Sequence, residues 1–196
     1  MPQPSPSRTW FWQQDLSPFG AHPALRPFSL GASATWCNGL LEVHYRLGGP
    51  LADLVLPGSQ ASSPQRRDNL WQSSCFELFI AEAGHTNYWE LNLSPSGDWN
   101  VYRLEAYRTG LTPELEITRL PHRIQHHLGS TGREQLEVKL SLELAGAIDA
   151  QAELELSATT VLEHQRLGCS YWAWLHTGKE PDFHRRDSLK PGLSRG

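Results

Sequence analysis

The stretch from Asn69 to Arg108 limits what this chain can fold into more than any other part of it. Its residues from Cys75 to Ala81 alternate with a period of two, which is the pattern of a β-strand with two different sides. One side carries Phe76, Leu78 and Ile80, and the other carries Cys75, Glu77 and Phe79. Because a charged Glu77 shares its side with Phe79, we predict that this second side does more than fill a core.

A β-hairpin is predicted directly after this strand. Residues from Tyr88 to Leu93 and from Trp99 to Tyr107 are rich in aromatic and aliphatic side chains, and the segment between them reads SPSGD. Pro, Ser, Gly and Asp favour tight turns between paired strands. Three consecutive antiparallel strands therefore form the centre of the predicted fold.

Short alternating segments recur along the rest of the chain. The clear ones are 36–47, 135–141, 154–161 and 169–176, and the weaker ones are 115–120 and 124–128. Helix is expected only as a turn or two over residues 141–149. About eight to ten strands separated by turns predict an all-β fold, an antiparallel β-sandwich of the jelly-roll-like kind.

Length and composition predict one domain. The chain has 196 residues, of which 39% are hydrophobic, and this is enough for one buried core. We expect a disordered tail at residues 1–8, a single domain at 9–190 and a second tail at 191–196. A net charge of −4 argues against nucleic-acid binding, and the only basic clusters are the pairs Arg66-Arg67 and Arg185-Arg186. With neither a signal-like N-terminus nor an apolar run of membrane-spanning length, a cytoplasmic protein without membrane contact is expected.

Sequence motifs of catalysis are absent, so no enzymatic activity is predicted. The chain lacks GxSxG, GxxxxGK[ST], GxGxxG and HExxH. His122 and His126 have a spacing that would suit a metal on a helix, but Pro121 and the local pattern favour extended chain. In a strand these imidazoles begin roughly 13 Å apart, too far for one zinc ion with bonds near 2 Å. We interpret them as surface histidines and predict no metal site.

Aromatic residues offer a better candidate for binding. Trp172, Trp174 and His176 share one side of the last clear strand, opposite Tyr171 and Ala173. One side of this strand could pack the core while the other presents an aromatic row, or both sides could be buried. In the central stretch, Trp99 likewise shares its side with a charged residue, Arg103.

Five short segments together carry a family resemblance. They are LWQSSCFELF from Leu70, YWELN from Tyr88, SPSGDWNVY from Ser94, and the late YWA and PDFH segments from Tyr171 and Pro181. Over residues 41–188 the chain resembles DOMON-like domains related to family 9 carbohydrate-binding modules, and among them a bacterial, stand-alone group. The resemblance implies a β-sandwich whose concave face or rim binds a sugar or a haem.

The resemblance also implies roles for particular residues. In sugar-binding relatives, two tryptophans clamp a saccharide while an acid and a base bond its hydroxyl groups. Trp71 and Glu77 match the first tryptophan and the acid, Trp172 supplies the second tryptophan, and Arg103 is the expected base. Neighbouring residues complete the expected ligand-binding set: Trp99, Trp174, His176 and His184. His184 lies in the PDFH segment, which either contacts the ligand or pins the C-terminus through Phe183.

Two further ligands and one further role stay open. Haem-binding relatives hold the iron with Met and His or Lys, but the only methionine is Met1, so a pair such as His44 and His176 would be needed. A calcium ion, as in some sugar-binding relatives, could use Asp98 or Asp182, although turn and capping roles are commoner for such residues. The aromatic row could instead meet a protein partner. A non-catalytic domain that binds a small polar ligand, foremost a carbohydrate, is the leading expectation.

Overall fold

The computed structural model describes residues 8–58, 63–129, 132–144 and 146–195. Strands dominate these residues, and every pairing between the named strands is antiparallel. In chain order they are β1 Thr9–Pro18, β2 Ser29–Cys37, β3 Leu40–Gly48, β4 Cys75–Glu82, β5 Tyr88–Leu93, β6 Trp99–Leu104, β7 Thr112–Pro113, β8 His122–Leu128, β9 Glu134–Glu143, β10 Leu154–His164, β11 Gly168–Ala173, β12 Lys190–Pro191 and β13 Leu193–Arg195. Helix within the described residues is limited to short 3-10 turns at Pro23–Leu25, Leu51–Asp53, Leu70–Gln72 and Arg186–Ser188.

The strands form one curled sheet that folds into two layers. The first layer, called the first sheet, has the order β1–β2–β3–β9–β8, and the second sheet has the order β7–β6–β5–β4–β10–β11. β1 joins them, because it pairs with β2 along Thr9–Leu16 and with β11 at Ser17 and Pro18. The predicted antiparallel β-sandwich is confirmed.

The main core lies between the two sheets. The predicted inward side of β4, formed by Phe76, Leu78 and Ile80, is buried there together with alternate residues of β3. Tyr45 crosses this core: its ring lies 5.3 Å from that of Phe76, and its hydroxyl donates a hydrogen bond to the Glu77 carbonyl oxygen at 2.6 Å. Burying each such large side chain contributes roughly 1.5–3 kcal/mol.

The segment predicted as one strand over 36–47 is a hairpin between β2 and β3. Asn38 and Gly39 form its turn with φ values of 50° and 82°. Two consecutive residues with positive φ are the mark of the type I′ turn, for which Asn-Gly is a preferred pair. The Asn-Gly dipeptide is the sequence signal for this hairpin. It was not used, so β2 was not predicted from the sequence.

Three other expectations are corrected. Residues 115–120 form no strand, because the Arg66 guanidinium donates to the carbonyl oxygens of Glu114 and Ile117 and replaces a strand neighbour. In the predicted helix, residues 141–143 continue β9, and one turn follows that is closed by the Ile148 N–H and the Leu144 carbonyl. Of the predicted tails, residues 1–7 lie outside the described part, whereas residues 193–195 pair with β1 and 190–191 with β10.

A smaller apolar cluster covers the outer side of the second sheet. Phe79, Tyr88 and Tyr102 belong to it, and Phe183 and Leu189 from the chain after β11 pack onto them. We call residues 181–189 the C-terminal strap. Because the strap crosses the sheet, polar residues of β4 and β5 that point away from the main core are buried as well.

Candidate functional site

A cleft of about 310 Å³ opens on the outer side of the second sheet, and we call it the Trp71 cleft. β4, β5, β6, β10 and β11 form its floor, and the strap and the loop after β6 form its rim. Its aromatic walls are Trp71, Phe79, Tyr171 and Phe183. Its charged or titratable side chains are Glu77, Glu90, Arg108 and His184, and its aliphatic ones are Leu104, Leu111, Val161 and Pro181.

Trp71 reaches this position through a local turn. Asn69 has a φ of 62° and a ψ of 26°, the left-handed conformation that asparagine tolerates better than most residues. The 3-10 turn Leu70–Gln72 follows and places the half-buried indole edge-on to the ring of Tyr102, at 6.1 Å. The indole therefore stands at the edge of the cleft with room beside it for a ligand.

Two carboxylic acids lie at the bottom of the cleft. Glu77 is only 3% exposed and Glu90 only 4%. Glu77 pairs with Asn92 across β4 and β5, and Glu90 pairs with Phe79, so the two acids are diagonal neighbours on one side of the sheet. Burial raises the pKa of both carboxyl groups, and the charge of Glu90 raises that of Glu77 further. A ligand that donates hydrogen bonds or carries positive charge would therefore stabilise the ionised form of each acid.

The strap is tied to the sheet through Asp182. This carboxylate accepts hydrogen bonds from the Tyr107 hydroxyl at 2.5 Å, from Arg108 at 2.8 Å and from the backbone N–H of His184 at 3.2 Å. Burial acts to raise the pKa of Asp182, but the bonds from Tyr107 and Arg108 outweigh it and leave the pKa lowered. Asp182 therefore stays ionised and holds one rim of the cleft in place.

His184 lies between the strap and the acids. Its Nδ1 is 2.8 Å from the Tyr88 hydroxyl, its Nε2 is 3.8 Å from Glu90 Oε2, and its ring packs edge-on against Phe79. Burial, followed by the positive charge of Arg108, lowers the pKa of His184 to about 4. The imidazole is therefore neutral near pH 7, and its contact with Glu90 is not an ion pair.

More open grooves occur elsewhere on the molecule. One, of about 450 Å³, lies on the outer side of the first sheet beside His44 and His122, and another, of about 480 Å³, lies beside Trp99 and Arg66. The first has no Phe, Tyr or Trp among its described lining residues. The Trp71 cleft is the one that combines several aromatic walls with buried acids, and we regard it as the candidate site.

Three of the predicted site residues meet in this cleft. Trp71 and Glu77 share it, as the resemblance implies, and His184 of the PDFH segment lines it from the strap. Phe183 of that segment also packs onto the sheet. The PDFH segment thus both lines the cleft and pins the chain, although these were considered as alternatives.

Three other predicted residues lie on the opposite side of the sheet. Trp99 and Trp172 are buried in the main core, and Arg103 is exposed beside Trp89, 5.8 Å from its ring. The reason is strand alternation: Tyr102 and Leu104 face the outer side, so Arg103 between them faces the other. The expected convergence of Trp71, Glu77 and Arg103 is therefore wrong.

Trp174 and His176 follow β11 and lie behind the strap rather than in the cleft. The Trp174 indole donates to the Ser188 carbonyl at 3.1 Å. His176 Nε2 is 2.9 Å from the Ser17 carbonyl oxygen, and its ring is 6.5 Å from that of Phe183. Both residues thus contact the strap, and neither is among the residues that line the cleft.

Several cleft residues were not predicted: Glu90, Arg108, Tyr171 and Phe183. Alternation was the available signal for Tyr171, because it occupies the side of β11 opposite Trp172. Glu90 had a signal too, since the predicted pairing of β4 with β5 could place it beside Phe79. Arg108 and Phe183 come from loops, whose paths the sequence pattern does not give.

The residues considered for haem and calcium lie apart. His44 is on the outer side of the first sheet, with its Nε2 3.6 Å from Glu137, whereas His176 contacts the end of β1. Asp98 accepts from the Gln65 backbone N–H and pairs with Arg67. Among the described residues, no group of three or more His, Cys, Asp or Glu side chains could hold a metal ion.

The described helices are also all too short to cross a membrane.

Comparisons with known proteins give a fold relationship. No protein-family model matches the chain, and no curated protein matches it in sequence. The chain is similar in structure to a crystal structure of a candidate carbohydrate-binding protein from Bacteroides uniformis, with a TM-score of 0.65 and 11% sequence identity. The match covers 92% of this chain and 85% of that one. At this identity the likeness shows that the two proteins share their β fold.

Proposed function

We propose that this protein is a non-catalytic binding protein whose Trp71 cleft holds a small carbohydrate. One observation carries the proposal: a half-buried tryptophan borders a cleft of about 310 Å³ that is also lined by two buried carboxylic acids, each with one oxygen that lacks a hydrogen-bond partner among the described residues. The apolar C–H face of a sugar ring stacks on an indole, and its hydroxyl groups donate to carboxylates. A cleft with few, well-placed polar groups among aromatic walls is typical of small-ligand sites.

The second wall is proposed to be Tyr171 together with Phe183. Their rings lie 6.1 Å apart and line the cleft together with Trp71. They would take the place of the tryptophan that sugar-binding relatives use, since Trp172 is in the core. The resemblance to DOMON-like domains related to family 9 carbohydrate-binding modules, and the fold shared with the Bacteroides uniformis protein, are consistent with this proposal.

Titration with a panel of mono- and disaccharides, followed by tryptophan fluorescence and calorimetry, tests the proposal. At least one sugar should bind, and Trp71→Ala should weaken its binding at least tenfold, because stacking on the indole is lost. Trp10→Ala is the matched control, since Trp10 is also half-buried but lies on β1 of the first sheet. Failure of every sugar to bind, or unchanged affinity in Trp71→Ala, would refute the proposal.

A further inference from the structure

Two oxygen atoms in the Trp71 cleft lack a hydrogen-bond partner among the described residues: Glu77 Oε1 and Glu90 Oε2. The other oxygen of Glu90, Oε1, accepts from the Asn92 side chain at 2.8 Å. As diagonal neighbours on paired strands, the two acids have Cα atoms roughly 7–8 Å apart. A buried acceptor without a partner is costly, so these oxygens mark where a bound group would be stabilised most.

Neither basic side chain that lines the cleft, Arg108 or His184, supplies a hydrogen bond to these two oxygens. Arg108 already binds Asp182 at 2.8 Å. His184 Nε2 is 3.8 Å from Glu90 Oε2, which is beyond hydrogen-bond distance, and its Nδ1 is engaged with Tyr88. The cleft therefore offers acidic acceptors without an unpaired cation beside them.

This arrangement differs from a site for a neutral sugar. The family resemblance implies that an acid and a base together hold the hydroxyl groups of a neutral sugar, one accepting and one donating. The expected base, Arg103, is on the other side of the sheet, and a second acid, Glu90, takes a place on the cleft floor. A ligand that itself supplies the positive charge would complete the set.

The aromatic walls suit the same kind of ligand. Trp71, Phe79 and Tyr171 line the same cleft as the two acids. The faces of aromatic rings attract ammonium groups, and they do so more strongly where water is excluded. Aromatic rings and carboxylates would thus both stabilise a positive charge bound in this cleft.

We propose that the preferred ligand of the Trp71 cleft carries a protonated amine, which binds between Glu77 Oε1 and Glu90 Oε2, as an amino sugar with a free amino group would. The inference rests on the proposed function, because it takes the sugar-binding site to be this cleft. It adds the chemical class of the ligand and assigns the amine to two named acids.

Calorimetric titration with glucosamine, glucose and N-acetylglucosamine at pH 7 tests the inference. Glucosamine should bind at least tenfold more tightly than the other two, because one charge-assisted contact is made only by the free amine. Glu77→Gln and Glu90→Gln should each reduce this preference to threefold or less, because the amide keeps an acceptor oxygen but carries no negative charge. Glu137→Gln, which changes a carboxylate on the first sheet, should keep the full preference.

The outcomes separate the inference from the function on which it rests. Equal affinities for glucose and glucosamine would overturn the proposed preference for an amine and leave the proposal of carbohydrate binding intact. If no sugar binds, cyclohexylamine is the next probe. Binding of cyclohexylamine that is lost in Trp71→Ala would support recognition of an amine and refute carbohydrate binding. If cyclohexylamine does not bind either, both proposals are overturned. Thermal unfolding of each variant shows whether it is folded, and Glu77→Asp provides a second test if Glu77→Gln is not.

Discussion

The hydroxyl of Tyr88 lies 2.8 Å from Nδ1 of His184, although 96 positions separate the two residues in the chain. The same hydroxyl accepts a hydrogen bond from the Arg108 backbone N–H at 3.2 Å. Because the hydroxyl accepts this bond, its own proton is free to be donated to Nδ1 of the neutral imidazole. One tyrosine thus links β5, the loop after β6 and the strap.

Protonation of His184 is expected to destabilise the fold as the pH falls. Its folded-state pKa is about 4, and the pKa of an unfolded histidine is about 6.5. Between these values the unfolded chain binds more protons, so the free energy of unfolding decreases as the pH falls from 6.5 to 4. At 1.36 kcal/mol per pKa unit the loss approaches about 3 kcal/mol.

Urea unfolding of wild type and His184→Gln at pH 7 and pH 4.5 measures this effect. Wild type should lose more stability between the two values than the variant does. The groups that face His184 from the packed elements are common to both proteins and cancel in the comparison to first order; they are Tyr88, Glu90, Arg108 and Asp182. Equal losses in the two proteins would show that His184 is not buried as a neutral group.

Replacing Glu77 with Gln is expected to stabilise the ligand-free protein above a pH of about 4.5. Burial, and then Glu90, raise the pKa of Glu77 well above its ordinary value of 4.5. Such a carboxyl supports the fold fully below its unfolded pKa and loses that contribution as the pH rises through its folded pKa. The melting temperature of wild type should therefore fall relative to Glu77→Gln between pH 5 and pH 8. Parallel melting profiles would contradict this.

Loss of Asp182 is expected to release the strap without unfolding the sandwich. Asp182→Ala removes two hydrogen bonds between the strap and the loop after β6 and one within the strap. Trypsin should then cut after Lys179, Arg185 or Arg186 several times faster than in wild type, while the main core stays protected. Asp187→Ala is the control, because Asp187 makes only exposed contacts with Arg185 and Thr177. Similar cleavage rates for the two variants would exclude the special role of Asp182.

The β2–β3 turn predicts a strong effect of a single methyl group. Gly39 has a φ of 82°, so Gly39→Ala should lower the free energy of unfolding by about 1 kcal/mol or more. Gly58→Ala is a suitable control, because Gly58 lies outside the positive-φ region and has no atom within 4 Å of an added Cβ. Chemical unfolding compares the stabilities of the two variants with that of wild type. A free energy of unfolding that is unchanged in Gly39→Ala would argue against the type I′ turn.

The amino-acid pattern alone determines much of this architecture. A period of two marks β4, β9, β10 and β11 because each of these strands separates two environments, and the SPSGD segment marks the β5–β6 hairpin through turn chemistry. The same local reasoning finds the two sides of β4 and thus the unusual position of Glu77. Local pattern misses β2, whose small residues alternate weakly, and it overestimates the strand at 115–120, where a distant arginine binds the backbone.

The composition of the cleft is decided only by the tertiary structure. Alternation tells which residues of one strand share a side, but it does not tell which side meets the main core. That choice depends on long-range pairing, which puts Trp172 and Arg103 on one side of the second sheet and Tyr171 and Glu90 on the other. Arg108 and the strap join them by contacts across more than seventy positions, and Asp182 holds them there. Because burial raises the pKa of the two acids and lowers that of His184, the electrostatic character of the site also arises only on folding.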